Sequence, residues 1–179
     1  PFQEFALGRF LDLHRERDGN LDGLSRELEE RLAREGERYS LLALRGHVAR
    51  ARADREAARI EFERAAQLDP DAAAPHLALA ALAQDGDDAK DAGAALAALE
   101  AAIARTRKRD DRADLVRRLG DLSLDAGDWS AAEARYLELS RLGRGGPRAL
   151  LDFARALRAR GEHARAIAPY ESAAHGLRG

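Results

Sequence analysis

Leu119-Gly-Asp-Leu-Ser-Leu-Asp-Ala-Gly-Asp-Trp-Ser-Ala-Ala-Glu-Ala-Arg-Tyr136 can be laid without a gap over Phe153-Ala-Arg-Ala-Leu-Arg-Ala-Arg-Gly-Glu-His-Ala-Arg-Ala-Ile-Ala-Pro-Tyr170, at a shift of 34 residues. Gly127 falls on Gly161, Ala132 on Ala166 and Tyr136 on Tyr170. A fixed period of this length marks stacked pairs of helices, each too small to bury its apolar face alone. With Ala113 and Pro147 as position 1, apolar or small residues recur at positions 4, 7, 8, 11, 20, 24 and 27. Positions 4, 8 and 11 share one face of a first helix, and 20, 24 and 27 share one face of a second. Position 15 is glycine in both units, which suits a turn needing a positive φ. Small residues at 8 and 20 allow the two backbones to approach closely.

The frame extends upstream. A unit from Tyr39 places Gly46, Ala58, Phe62 and Ala65 in phase and closes on Leu68-Asp69-Pro70, where proline stops a helix. A unit from Ala73 fits with a longer turn between Gln84 and Gly93, after which Ala95, Leu99 and Ala102 take positions 20, 24 and 27. Its second helix is expected to run on through Arg105-Thr106-Arg107-Lys108-Arg109. A first unit from about Phe5 matches least, with a turn at Gly19-Asn20-Leu21 and a stripe of Leu24, Leu28 and Leu32.

These residues resemble the tetratricopeptide repeat (TPR) family over nearly the whole chain. Departures are the absence of tryptophan at position 4, Arg45 in place of leucine at 7, and a closing proline only at Pro70. The resemblance implies an all-α fold, a right-handed superhelical solenoid of antiparallel helix pairs. It implies one repeat domain over 1–179, with units at about 5–38, 39–72, 73–112, 113–146 and 147–179. Alanine and leucine would fill a core shared between neighbouring pairs.

Composition narrows the class. The chain has no cysteine, so disulfides and thiolate metal sites are excluded. No apolar run reaches the roughly 18–20 residues of a membrane span, and Ala72 to Ala83, with Pro75 and His76, reads as a buried helix. The chain begins at Pro1, lacks methionine and ends just after a second helix, the expected signature of a piece of a longer protein. Lysine appears only at Lys90 and Lys108 against many arginines, which points to a GC-rich, bacterial source. The compartment stays open, with the cytoplasm as the default.

Net charge is −2 but unevenly placed. Asp85, Asp87, Asp88 and Asp91 crowd one turn, while Arg105 to Arg118 and the last unit are basic. Solvated helix faces account for most of this. A surface for an acidic partner is the functional reading.

No catalytic constellation stands out. His14, His47, His76, His163 and His175 lack metal-site spacing. His76 falls on a core-facing position, and His163 stands where Trp129 stands one unit earlier, both packing or turn positions. Gly143 to Gly146 follows a helix and lacks the Lys-Ser/Thr ending of a phosphate loop, so it reads as a helix stop before Pro147. Pro169 reads as local helix shape. No cofactor, metal or enzymatic activity is expected. Nucleic acid is not an expected partner either, because Phe62, Tyr136, Phe153 and Tyr170 occupy core positions instead of stacking outside.

By the family resemblance the first helices line a concave side, and positions 2, 5, 9 and 12 share that face. The candidate partner-binding residues are His47, Arg50, Arg117, Asp121, Arg148, Leu151, Arg155 and Arg158. Ala43, His47 and Ala78 stand where a carboxylate clamp of the chaperone-associated type would need lysine and asparagines, so that clamp is absent. The expected function is a protein-interaction scaffold that takes a protein or peptide segment, acidic or of mixed charge. The alternative is a regulatory or substrate-recruiting module of a larger enzyme or signalling protein. Phe2, Phe5, Phe10, Leu11 and Leu13 form an expected apolar patch near one end, open to self-association or further repeats.

Overall fold

The structure is a computed structural model that describes residues 2–85, 89–142 and 146–176, with side chains described except at 2–5, 89–92 and 94. The described residues form ten α-helices and no strand. The helices are α1 (Phe2–Asp18), α2 (Asp22–Glu35), α3 (Tyr39–Ala51), α4 (Arg55–Leu68), α5 (Ala73–Gln84), α6 (Ala89–Arg105), α7 (Arg109–Asp125), α8 (Trp129–Leu142), α9 (Gly146–Ala159) and α10 (His163–Gly176). They divide into two compact units, Pro1–Ala95 and Leu96–Gly179, with the division inside α6.

The helix pairs follow the repeat frame. In the second unit α7 packs on α8, α8 on α9 and α9 on α10. All seven framework positions of the 113 unit are buried: Val116, Leu119, Gly120, Ser123, Ala132, Tyr136 and Leu139. Tyr136 stacks on Phe153 of α9, with ring centroids 4.8 Å apart, so one unit's position 24 packs on the next unit's position 7. In the first unit α3 packs on α4 and α4 on α5. Leu11, Leu21, Leu24, Leu28, Leu41 and Val48 join α1, α2 and α3 in one cluster. Fully burying each such side chain contributes about 1.5–3 kcal/mol.

Three turns share one hydrogen-bond pattern. The amide of Asp54 donates to the Ala49 carbonyl at 3.0 Å, Asp128 to Ser123 at 2.9 Å and Glu162 to Leu157 at 3.0 Å. This closure needs a left-handed residue at position 15. Gly127 (φ 75°) and Gly161 (φ 82°) supply it in the second unit. In the first, Ala53 takes the same conformation at φ 63°. Asp54 and Asp128 then cap the following helices, accepting from the Ala57 and Ala131 amides at 3.0 Å each.

Two expectations are corrected. The helix of the 73 unit does not run through Arg109: α6 stops at Arg105 and α7 starts at Arg109. Buried Thr106 follows its last residue, with its hydroxyl donating to the Ala102 carbonyl at 2.8 Å. Arg112 then covers the freed Ile103 carbonyl at 2.7 Å, and Asp110 and Asp111 suit the first turn of α7. Leu11, expected in an exposed end patch, is buried under α2 and α3, while Phe10 and Leu13 of the same helix are exposed. Phe2 and Phe5 lie outside the described side chains, as do Asp87, Asp88 and Asp91 of the acidic turn and residues 143–145 of the glycine loop.

Candidate functional site: the first-helix faces

In the first unit, helical spacing brings α1, α3 and α5 around one groove of about 490 Å³. Its walls are Leu7, Gly8 and Leu11 of α1, His47, Arg50 and Ala51 of α3, and Ala74, Leu77, Ala78, Ala81 and Asp85 on and just after α5. The groove exists because α5 presents alanines at i, i+4 and i+7 and α1 presents a glycine. The expected residues His47 and Arg50 both line it. Arg50 is not a free cation, however. Its Nη2 and Nε both donate to one carboxylate oxygen of Asp85, at 2.6 and 2.7 Å. His47 meets the Phe62 ring edge to face, with centroids 4.9 Å apart.

In the second unit the corresponding face is charged. Arg117 of α7 and Arg148, Arg155 and Arg158 of α9 are exposed, and Leu151 is half-buried between them in sequence. Asp152, which the spacing argument passed over, lies 3.8 Å from Arg117 and 3.9 Å from Arg155 and so ties the two helices together. Among the described residues no acid lies within ion-pair distance of Arg148 or Arg158. Asp121 is half-buried and accepts a hydrogen bond from the Tyr136 hydroxyl. Burial, and then that hydrogen bond to an anion, push the Tyr136 phenol well above its usual range. Asp121 is therefore a framework group more than a contact surface. Leu124, on the same expected face, is fully inside the core.

A simple signal would have found the missed partners. Arg50 and Asp85, Glu100 and Arg135, Arg117 and Asp152, and Asp125 and Arg160 are all opposite charges 35 residues apart, one period plus one. Neighbouring repeats align with that offset, so a charge in one repeat reaches an opposite charge in the next.

Among the described residues no group of three or more His, Cys, Asp or Glu could hold a metal ion, and no helix is long and apolar enough to cross a membrane. His163 is exposed at the start of α10, and His76 is half-buried in α5.

No family model and no curated protein matches the chain. Solved structures do. A MamA crystal structure is similar over 92% of this chain and 93% of its own, with a TM-score of 0.64 at 21% identity. PilF of Pseudomonas aeruginosa is similar over 98% of this chain and 78% of its own, with a TM-score of 0.65 at 20% identity. PilW, described as a widely conserved type IV pilus biogenesis factor, gives a TM-score of 0.63 at 15% identity over 93% of this chain and 74% of its own. All three are TPR-type helical repeat proteins. The fold is of the TPR type. At these identities the likeness carries the fold and nothing about partners.

Proposed function

We propose that the chain is a protein-interaction scaffold whose first-helix faces receive segments of a partner. In this reading the second unit takes an acidic or mixed-charge segment along Arg117, Arg148, Leu151, Arg155 and Arg158. The first unit takes a segment beside His47 and Arg50. The carrying observation is that Arg148 and Arg158 are exposed and, among the described residues, make no ion pair, on a helix whose opposite face is apolar and buried. Arg59, by contrast, is held between Glu56 and Glu63 of its own helix, whereas Asp152, one turn on from Arg148, pairs with Arg117 and Arg155 instead. Exposed, unneutralised cations steer an acidic segment and weaken their hold as salt rises. The scaffold performs no chemistry of its own in this proposal.

The test is the double reversal Arg155→Glu with Arg158→Glu. Both side chains are exposed, so helicity and melting temperature should stay as in the wild type. Proteins captured from the native host by the wild type should be lost by the reversal. Fluorescence anisotropy with the purified partner segment should show affinity reduced about tenfold or more. An unchanged partner set with unchanged affinity would end this reading.

A further inference from the structure

Two helix-interior glycines have a packing reason. A Cβ on Gly46 would collide with the Phe62 ring, and one on Gly120 would come 3.0 Å from the Tyr136 ring. Four others, Gly19, Gly36, Gly127 and Gly161, hold positive φ. Gly8 meets neither demand, and nor does Gly93 inside α6, but of the two only Gly8 lines the groove between α1, α3 and α5. It lies inside α1, and a Cβ there would meet nothing within 4 Å. Glycine in a helix interior costs stability relative to alanine. At Gly8 the one evident effect of lacking a side chain is to keep open the wall of the groove between α1, α3 and α5.

The chemistry of that wall selects an occupant. Leu7, Leu11 and Leu77 supply apolar surface, and the α5 alanines supply depth. Arg50 and Asp85 are the charged residues lining it, and they neutralise each other within 2.6 Å. An incoming carboxylate or ammonium would find no uncommitted counter-charge among the described lining residues, or would have to split the pair at the small cost of a screened, partly exposed ion pair. A neutral apolar group meets no such cost. There is room as well: an enclosed apolar cavity of about 150 Å³ holds a benzene ring, and this groove, open to solvent on one side, has about 490 Å³.

We propose that this groove seats one bulky uncharged side chain, phenylalanine or leucine, presented by a partner peptide. The proposal rests on the reading that first-helix faces take partner segments, and it names the chemistry taken in the first unit. Gly8 is the gap through which the side chain enters, and the Arg50–Asp85 pair is the neutral rim against which the peptide backbone rests.

The test titrates the full ¹⁵N-labelled chain with the pentapeptide acetyl-Ser-Gly-Phe-Gly-Ser-amide, and with the same peptide carrying aspartate in place of phenylalanine. The phenylalanine peptide should give saturable shifts in the amides of Leu7 to Leu11 and of Ala74 to Ala81. The aspartate peptide should bind at least about tenfold more weakly. Gly8→Leu, whose side chain enters open space, should plug the groove with helicity retained, and Ala81→Phe should plug it from the opposite wall. Each should weaken the phenylalanine peptide about tenfold or more. Absence of saturable shifts at those amides, equal binding of both peptides, or undiminished binding by a folded plugged variant would overturn the proposal. If both variants lost their fold, the comparison of the two peptides on the wild type would still decide it. If the acidic partner were captured through Arg155 and Arg158 while the phenylalanine peptide failed, this inference alone would fall. If the peptide bound while capture ignored the reversal, the acidic-segment reading would fall instead.

Discussion

The two units build their first-helix faces from the same repeat positions and reach opposite chemistry. In the first, position 12 is Arg50, and Asp85 cancels it; the next helix offers alanines, so the face is a neutral apolar groove. In the second, position 12 is Leu124, buried, and then Arg158, exposed, and one aspartate, Asp152, serves two arginines. The framework positions differ far less. Gly46 under Phe62 in the first unit corresponds to Gly120 under Tyr136 in the second. Packing between helices dictates the framework, because a changed volume there strains both partners. Nothing in the packing dictates the outward positions, so they are free to carry recognition.

The sharpest way to break the comparison is at position 8. A methyl on Gly46 would enter the Phe62 ring, which is fully buried and has no room to retreat. Gly46→Ala should cost about 2–3 kcal/mol. A methyl on Gly120 would sit 3.0 Å from an edge atom of Tyr136, a contact that a small ring shift relieves. Helix propensity returns up to about 1 kcal/mol, so Gly120→Ala should cost about 1 kcal/mol or less. Urea denaturation of the two variants measures both. Equal costs would show that the two helix pairs are packed alike and the contrast is false.

Position 15 reverses the sense of the comparison. Gly127→Ala and Gly161→Ala place a Cβ in a left-handed residue and should each cost about 1–2 kcal/mol. Ala53 already bears that strain at φ 63°, so Ala53→Gly should stabilise the first unit by about 1 kcal/mol. A destabilised Ala53→Gly variant would mean that the turn holds its shape for another reason.

A third difference is titratable. Position 24 is Phe62 in the first unit and Tyr136 in the second, and burial with a hydrogen bond to Asp121 holds the Tyr136 proton more tightly in the folded chain than in the unfolded one. The phenol therefore contributes its full stability below about pH 10 and loses it progressively above. Thermal unfolding followed from pH 8 to 11 should show an alkaline decline that Tyr136→Phe reduces. At neutral pH the same substitution should cost about 1 kcal/mol for the lost hydrogen bond. An alkaline decline identical in the variant would assign it to other groups.

How much of this was legible depends on what enforces each feature. The period exposed the helix pairs, their turns and nearly every core position, because packing and φ restrict Gly127, Phe62 or Ala132 to few residue types. The end of α6 was not legible, since Arg105 to Arg109 has good helix formers on both sides of Thr106 and no proline or glycine marks the stop. Among the outward positions Arg117, Arg148, Arg155 and Arg158 are exposed while Leu124 is buried, and their charge state was not legible. Arg50 read as a free contact, but whether Asp85 reaches it is a matter of the offset between neighbouring repeats, which spacing within one unit does not contain. Leu7 and Gly8 were missed for the same reason: the first unit departs most from the repeat, and its groove is formed by three helices together.

The smallest expected effect concerns that pair. Arg50 and Asp85 are both partly exposed, at 35% and 46% of their side-chain surface, so water screens them and their attraction should contribute only about 0.5 kcal/mol to stability. Arg50→Ala should therefore lower the melting temperature barely, and high salt should erase the difference. Its effect on the groove should be larger than its effect on the fold. The single substitution leaves the Asp85 carboxylate on the rim without its counter-charge, and a cationic peptide with lysine in place of phenylalanine should then bind better than it does to the wild type. Adding Asp85→Ala removes that charge as well, so the double variant should lose the gain for lysine and keep its preference for phenylalanine. If Arg50→Ala shifted neither peptide, the pair would have no part in selecting the occupant, and the contrast between a neutral first face and a charged second face would rest on the α5 alanines and Gly8 alone.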